Sequence, residues 1–337
     1  MAPATAGGHC RSRLGPGVGQ PPTRQAVAGA SSADTLTSTV PIAVIELDFD
    51  PILRLGEFAV RLETVGIAAA VLAGLLLAAT LAGVTAEEGP DPGPFVYARR
   101  LRRDDLLYIA VGLLPGAVIG GRIGYALLHA DYYVTNPAAL IDPSEGGLEL
   151  VGAVAGAALA GGAIARLLGG PIGRWYHVAA LPALLAIALG KAAGALGGSG
   201  QGLPADLPWA TAYVADGPWG SLAAAVPSHP AQLYEAALAG AVFLVLAAVM
   251  AAGGFRGRDG RAFLVGLGAW SIGRSVVAGT WRDDPIAGPL SAGQMVAVAF
   301  AVVALALALV RPRLPAPRVG RTASEPAWPD PETRPRF

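Results

Sequence analysis

Four charged side chains stand where charge is costly. Arg122, Lys191, Glu235 and Arg274 each interrupt a run of otherwise apolar residues. A charge at the centre of a bilayer costs at least about 2.5–3.5 kcal/mol, so such a residue generally has a partner or a task. Three cations and one carboxylate suit an anionic ligand, and a phosphate arriving from the lipid phase is the natural candidate. A guanidinium grips phosphate with two prongs, whereas a lysine acts as a point charge. The plainer alternative is that Glu235 pairs with Arg122 or Arg274 to tie helices together while end-of-helix cations snorkel to the surface. Glu235 ends the string Ser228-His229-Pro230-Ala231-Gln232-Leu233-Tyr234-Glu235. Ser228 or His229 is placed to cap a helix there, and Pro230 suits its first turn. Capping does not explain Gln232 and Glu235, which are three apart and share one face inside an apolar run.

The elements that carry these residues follow from composition. The chain has 337 residues, 53% of them hydrophobic and only 14% charged, with a mean hydropathy of +0.52. A soluble domain typically carries about 25% charged residues, so the expected fold class is an all-α polytopic membrane protein. Seven stretches approach the roughly 20 apolar residues of a spanning helix. They are Thr64–Val84, Asp105–Leu128, Leu150–Ala165, Trp175–Leu196, Ala231–Ala252, Ala262–Trp281 and Ser291–Val310. Loops after the odd-numbered spans hold Arg99, Arg100, Arg102, Arg103, Arg166, Arg174, Arg256, Arg258, Arg261, Arg311 and Arg313. Loops 129–149, 199–230 and 282–290 hold only Arg282. The positive-inside rule therefore predicts an outer N-terminus and a cytoplasmic C-terminus. All four intramembrane charges then fall in the outer half of the bilayer, on four helices, where they could converge on one polar cavity. In the outer loop, Trp209, Tyr213 and Trp219 suit the headgroup level.

Residues 1–40 read as a disordered extension without the apolar core of a signal peptide, 41–311 as the membrane domain, and 312–337 as a disordered tail. Net charge is zero, which argues against a nucleic-acid partner. The single cysteine, Cys10, excludes disulfides and cysteine-based metal sites. No His, Asp and Glu spacing suggests a metal ligand set, and no Gly-x-Ser-x-Gly elbow occurs. The glycine-rich stretches 146–170 and 190–202 suggest close helix packing or a mobile loop rather than a nucleotide site.

Four strings carry a resemblance to a known family: Asp48-Phe49-Asp50-Pro51 with Leu55-Gly56; Gly120-Gly121-Arg122-Ile123-Gly124-Tyr125; His229-Pro230-Ala231-Gln232-Leu233-Tyr234-Glu235; and Gly273-Arg274 with Trp281-Arg282-Asp283-Asp284-Pro285. Over about residues 46–310 the chain resembles the bacterial prolipoprotein diacylglyceryl transferases, and the third string is the specific one. The resemblance implies seven spans in the bacterial cytoplasmic membrane and no cofactor. It implies transfer of a diacylglyceryl group from phosphatidylglycerol to the lipobox cysteine thiol of a prolipoprotein signal peptide. A thioether forms and glycerol phosphate leaves. Cations beside the leaving phosphate stabilise its charge, and the thiol must lose its proton to attack. Arg274 and Lys191 would hold the phosphate, with Arg122 and Gln232 in support, and His229 or Glu235 would take over the proton, a role the motif match assigns to neither.

The chain departs from the family at several places. Val151 stands where the family has a histidine, Gly190-Lys191 where it has Gly-Arg, Gly194 for an asparagine, Trp270 for a tyrosine, and Leu62-Glu63 for an aromatic pair. The interval from Arg274 to Arg282 is one residue longer. These departures leave open a catalytically impaired member that binds phospholipid or prolipoprotein without turnover. A transporter or channel is disfavoured by the string at His229.

Overall fold

The computed structural model describes residues 44–84, 105–142, 146–168 and 171–310. The segments 1–40 and 312–337, and the arginines at 99, 100, 102, 103, 311 and 313, lie outside these residues. The helices are α1 (Leu62–Val84), α2 (Asp105–Leu128), the short α3 (Ala130–Thr135), α4 (Leu150–Leu167), α5 (Ile172–Gly194), α6 (Ala231–Ala251), α7 (Arg261–Val277) and α8 (Ala292–Val310). All but α3 are long and apolar enough to cross a membrane, α7 together with the 3-10 turn Ala278–Thr280 that continues it. Each coincides with an expected span. Helices are the natural form here because hydrocarbon offers no partner for an open backbone.

Small β elements were not foreseen by the all-α expectation. β1 (Ile45–Leu47) pairs in parallel with β4 (Thr211–Tyr213), Ile45 facing Thr211. β2 (Ile52–Leu55) and β3 (Phe58–Arg61) form a hairpin that leads into α1. Its turn needs Gly56, at φ +63°. β5 (Pro285–Ala287) and β6 (Leu290–Ser291) form a second hairpin before α8. These ribbons all lie in or beside the segments that lead into or out of the helices at the end of the bundle opposite Arg166, Arg174 and Arg256.

Helix packing divides the bundle. Helix α5 is the hub, touching α1, α6 and α7, while α2 and α4 form a separate tight pair. Small residues set the closeness of that pair, as is usual where lipid removes the hydrophobic drive between helices. A Cβ on Gly156 would stand 2.2 Å from the Gly116 carbonyl oxygen, and one on Gly120 would stand 2.3 Å from that of Gly152. The α1–α5 pair uses the same device, with a Cβ on Gly66 meeting Ala193 Cβ at 2.6 Å. One apolar core joins α4, α5, α6 and α7 through Val151, Leu184, Leu246, Leu267 and Trp270. A second, smaller cluster of Ala82, Ile109, Ala165, Trp175 and Val178 joins α1, α2, α4 and α5 at the opposite end from the ribbons.

Gly156→Val should destabilise the α2–α4 pair by about 1–3 kcal/mol through overpacking. Thermal unfolding in detergent checks this, and an unchanged midpoint would contradict the close backbone approach.

Candidate active site

Helix α6 begins without a side-chain cap. Pro230 holds the cap position, and its side chain offers no acceptor. The expected caps are used elsewhere. Ser228 Oγ donates to the Val226 carbonyl at 2.8 Å, and His229 Nδ1 lies 3.3 Å from the Tyr234 hydroxyl. The start of α6 is held instead by the loop folded over it, and this frees the first two turns to present Gln232 and Glu235 inward. Gln232 is 2% exposed and Glu235 1%.

Glu235 divides its two oxygens between two helices. Oε1 accepts from Arg274 Nη1 on α7. Oε2 lies 2.9 Å from Lys191 Nζ on α5. A second carboxylate, Glu149 at the N-terminus of α4, approaches Arg274 Nη2 at 3.5 Å. Glu149 also caps α4, accepting from the Val151 N–H at 2.9 Å and the Gly152 N–H at 2.5 Å. The positive end of the helix dipole favours an anion at this position. The four groups form an electroneutral cluster, two cations against two carboxylates, drawn from four segments. Indole rings enclose it: Arg274 lies 4.4 Å from the Trp281 ring centre and 5.8 Å from that of Trp270.

Three of the four expected charges thus come together, and Arg122 does not join them. Its guanidinium turns to the 3-10 turn Pro137–Leu140 and the residues after it. It donates to the carbonyls of Ala139, of Leu140 at 2.8 Å and of Asp142 at 2.7 Å, and it lies 5.5 Å from the Tyr133 ring. Arg122 is on α2 as expected, but its side chain points to the 137–142 turn and not into the cluster. The expected pairing of Glu235 with Arg274 is present, and that with Arg122 is not. His229, on present contacts, is turned toward Tyr234 rather than into the cluster.

Lys191 is the cation that opens the cluster. It lines a cavity of about 580 Å³ between α1, α2, α4 and α5, and its side chain is 27% exposed while that of Arg274 is 5%. Glu63, Ser199 and Gln232 share that polar end. Ser199 Oγ donates to Glu63 Oε2 at 2.7 Å, and Arg61 Nη2 lies 3.3 Å from the same oxygen. The rest of the lining is apolar. Among the described residues, buried polar atoms around the cluster without a hydrogen-bond partner include Arg274 Nε, Trp270 Nε1 and Gln232 Oε1, and of these three residues only Gln232 lines the cavity. A buried unsatisfied polar group is unfavourable, and one facing a cavity marks where a ligand can bind.

The loop 199–230 covers the cluster. Arg282 pins it from behind α7, donating to the Gly202 carbonyl at 2.6 Å, Ser228 Oγ at 2.9 Å, Ser221 Oγ at 3.2 Å and Gln201 Oε1 at 3.4 Å. Tyr213 was expected at the headgroup level, yet it is buried. It packs on Trp219 with ring centres 4.6 Å apart and receives the Gln232 Nε2–H at 3.0 Å. Burial pushes its phenol up to about 12, with the Glu63 carboxylate adding to the rise and the Gln232 hydrogen bond opposing it. Trp209 is half exposed, as an interfacial tryptophan would be, and donates to the Tyr234 hydroxyl at 2.7 Å. The sequence reading missed Glu149, Trp281 and Tyr213 as parts of the site. For Glu149 a signal existed, an acidic residue immediately before an apolar span. Val151, two residues further, is buried in the apolar core with Trp270.

Glu235→Gln leaves Lys191 without its counter-ion and should cost about 3–5 kcal/mol. Lys191→Met should cost less, and the double variant should recover part of the loss. A thermal-unfolding cycle in detergent checks this, and strict additivity would deny the pair.

The comparisons with known proteins agree with this architecture. The family model described as prolipoprotein diacylglyceryl transferase matches residues 51–310. A phosphatidylglycerol–prolipoprotein diacylglyceryl transferase of Geobacter sulfurreducens is 32% identical over 219 residues, covering 62% of this chain and 79% of the relative. One from Nitrobacter hamburgensis is 29% identical over 294 residues, covering 82% and 94%. One from Agrobacterium fabrum is 33% identical over 204 residues, covering 60% and 68%. With its seven apolar helices and a match that runs from the β2–β3 hairpin to the end of α8, the chain belongs to the prolipoprotein diacylglyceryl transferases, a family of multi-pass membrane transferases.

Proposed function

We propose that this chain transfers the diacylglyceryl group of phosphatidylglycerol to the lipobox cysteine thiol of prolipoproteins. The carrying observation is the cavity itself, with apolar walls through the bundle and one polar end at Lys191, Gln232 and Glu63, backed by Glu235 and Arg274. That is the shape of a phospholipid, with tails in the walls and a phosphate at the cations. In the reaction, sulfur bonds to the glycerol carbon as that carbon's bond to the phosphate oxygen breaks, and glycerol phosphate departs with the electron pair. Lys191 meets the phosphate first, because it faces the cavity. Arg274, held by Glu235 and Glu149, keeps its Nε–H for the developing charge. Gln232 orients the headgroup through Oε1. The thiol proton passes to His229 or Glu235. Both oxygens of Glu235 are already engaged by cations, which favours His229, once that imidazole turns from Tyr234. Arg122 supports the site at a distance, by fixing the turn at 137–142.

The charged end of the cavity lies at the end of the bundle whose described segments outside the spans carry Arg54, Arg61 and Arg282. Arg166, Arg174, Arg256, Arg258 and Arg261 lie at the other. This supports an outward-facing site, an outer N-terminus and residence in the bacterial cytoplasmic membrane. Lipid then enters sideways and the signal peptide meets it at the outer face.

The purified protein, given phosphatidylglycerol vesicles and a lipobox peptide, should yield a thioether product by mass spectrometry. Arg274→Lys should lower the rate about 10²–10³-fold by removing the planar fork. No product under conditions in which the Geobacter relative is active would overturn the reading.

A further inference from the structure

Among the described residues, two charged side chains line the cavity, and they are opposite in sign: Lys191 and Glu63. Both stand at its polar end. The ion pairs around them balance, with Lys191, Arg274 and Arg61 set against Glu235, Glu149 and Glu63. That end of the cavity therefore offers an ordered pair of charges and no net charge.

The two lining charges stand at different levels. Helices α1 and α5 run side by side, with Gly66 against Ala193 and Gly74 against Ala186. From the first of these contacts, Glu63 lies three residues toward the 199–230 loop and Lys191 two residues away from it. At the helical rise their backbones are about 7 Å apart along the bundle. Glu63 Oε2 accordingly lies over Gly197, beyond the end of α5, where a Cβ would collide with it. Along the cavity the order is apolar wall, then ammonium, then carboxylate.

Glu63 is held in place with binding capacity left over. Ser199 Oγ donates to its Oε2 at 2.7 Å, and Arg61 Nη2 lies 3.3 Å from the same oxygen. The Arg61 side chain is 39% exposed and does not line the cavity, so water screens that pair. Among the described residues, no hydrogen bond reaches Oε1. A fixed carboxylate with a free oxygen takes a charged donor best, because charge-assisted hydrogen bonds are the strong ones.

We propose that Glu63 admits an amine-headed phospholipid, phosphatidylethanolamine, to this site, with its ammonium on Glu63 and its phosphate at Lys191. This rests on the cavity being the lipid site. The zwitterion repeats the order of the protein groups: chains along the apolar walls, phosphate at the lysine, ammonium beyond it at the carboxylate. The glycerol headgroup of phosphatidylglycerol brings only hydroxyls to Glu63. The carboxylate thus determines headgroup specificity and takes no part in gripping the phosphate.

The test is native mass spectrometry of the full chain. The protein is equilibrated in nanodiscs with equimolar dipalmitoyl phosphatidylethanolamine, phosphatidylglycerol and phosphatidylcholine, so that only the headgroup varies. The unaltered protein should retain phosphatidylethanolamine at least as well as phosphatidylglycerol. It should retain phosphatidylcholine, whose quaternary amine has no N–H to donate, about tenfold less. Glu63→Gln keeps an acceptor for Ser199 but removes the charge, and should lower the ethanolamine-to-glycerol ratio at least about tenfold. Ser199→Ala removes the latch but keeps the charge, and should leave the ratio unchanged. An unchanged ratio in Glu63→Gln, a shifted one in Ser199→Ala, or exclusion of phosphatidylethanolamine by the unaltered protein would overturn the proposal. Should Glu63→Gln fail to fold, equal retention of the ethanolamine and choline lipids by the unaltered protein overturns it as well. The thioether assay with phosphatidylglycerol is read separately. A headgroup profile that depends on Glu63 without thioether upholds the proposal and removes the transferase reading, whereas thioether with an unshifted profile does the reverse.

Discussion

The bond pattern of Glu235 governs the rest of the site. One carboxylate, buried on α6, holds an arginine from α7 with one oxygen and a lysine from α5 with the other. Neither cation could remain in a dry interior alone, since an unpaired buried charge is strongly disfavoured. The requirement propagates outward. Arg274 needs a second anion, and the N-terminus of α4 supplies Glu149 where the helix dipole already favours one. Three helices and the entry to a fourth are therefore brought to one depth by charge balance. Apolar packing alone would not specify that depth, because a methyl group finds an equivalent neighbour one turn away.

Glycine does the complementary work. Ion pairs fix where α4, α5, α6 and α7 meet, while close backbone contacts fix α2 on α4 and α1 on α5. The two devices leave different surfaces. The salt-linked helices share a filled core around Leu184 and Trp270. The glycine-linked pairs face each other across the cavity. Charge gathers at one end of that cavity because Lys191 belongs to both systems, carried on α5 and paired with α6.

Much of this was legible in the residues. The apolar runs and the alternation of arginines located the seven helices, and the cost of intramembrane charge singled out Lys191, Glu235 and Arg274. What failed did so for identifiable reasons. Depth can be counted along a helix, but azimuth depends on neighbours, so Arg122 looked like a member of the cluster and turned out to brace a loop. Ser228 and His229 looked like caps, but Ser228 bonds back into the loop at Val226 and His229 faces Tyr234 on α6 itself. Tyr213 looked like a surface anchor because loop aromatics usually are, and only β4 pairing with β1 shows why it is buried. Glu149 sat at a span boundary, where an acid is commonplace. Its second role, toward Arg274, depends on a contact between residues far apart in the chain.

The cover over the site has an implication for the order of biogenesis. Its backbone is laid down between α5 and α6, and it is edged by β1, which is made before any helix. The side chain that pins it, Arg282, is made only after α7. A nascent chain that has inserted five spanning helices therefore has the lysine and the glutamate in place beneath an unsecured cover, with Arg274 still to come. The last half of α7 delivers the buried arginine, and the residues just behind it deliver the clamp. Completion of the charge cluster and closure of its roof are thus coupled events in synthesis, and the polar end of the cavity is covered at nearly the moment it becomes electrically balanced.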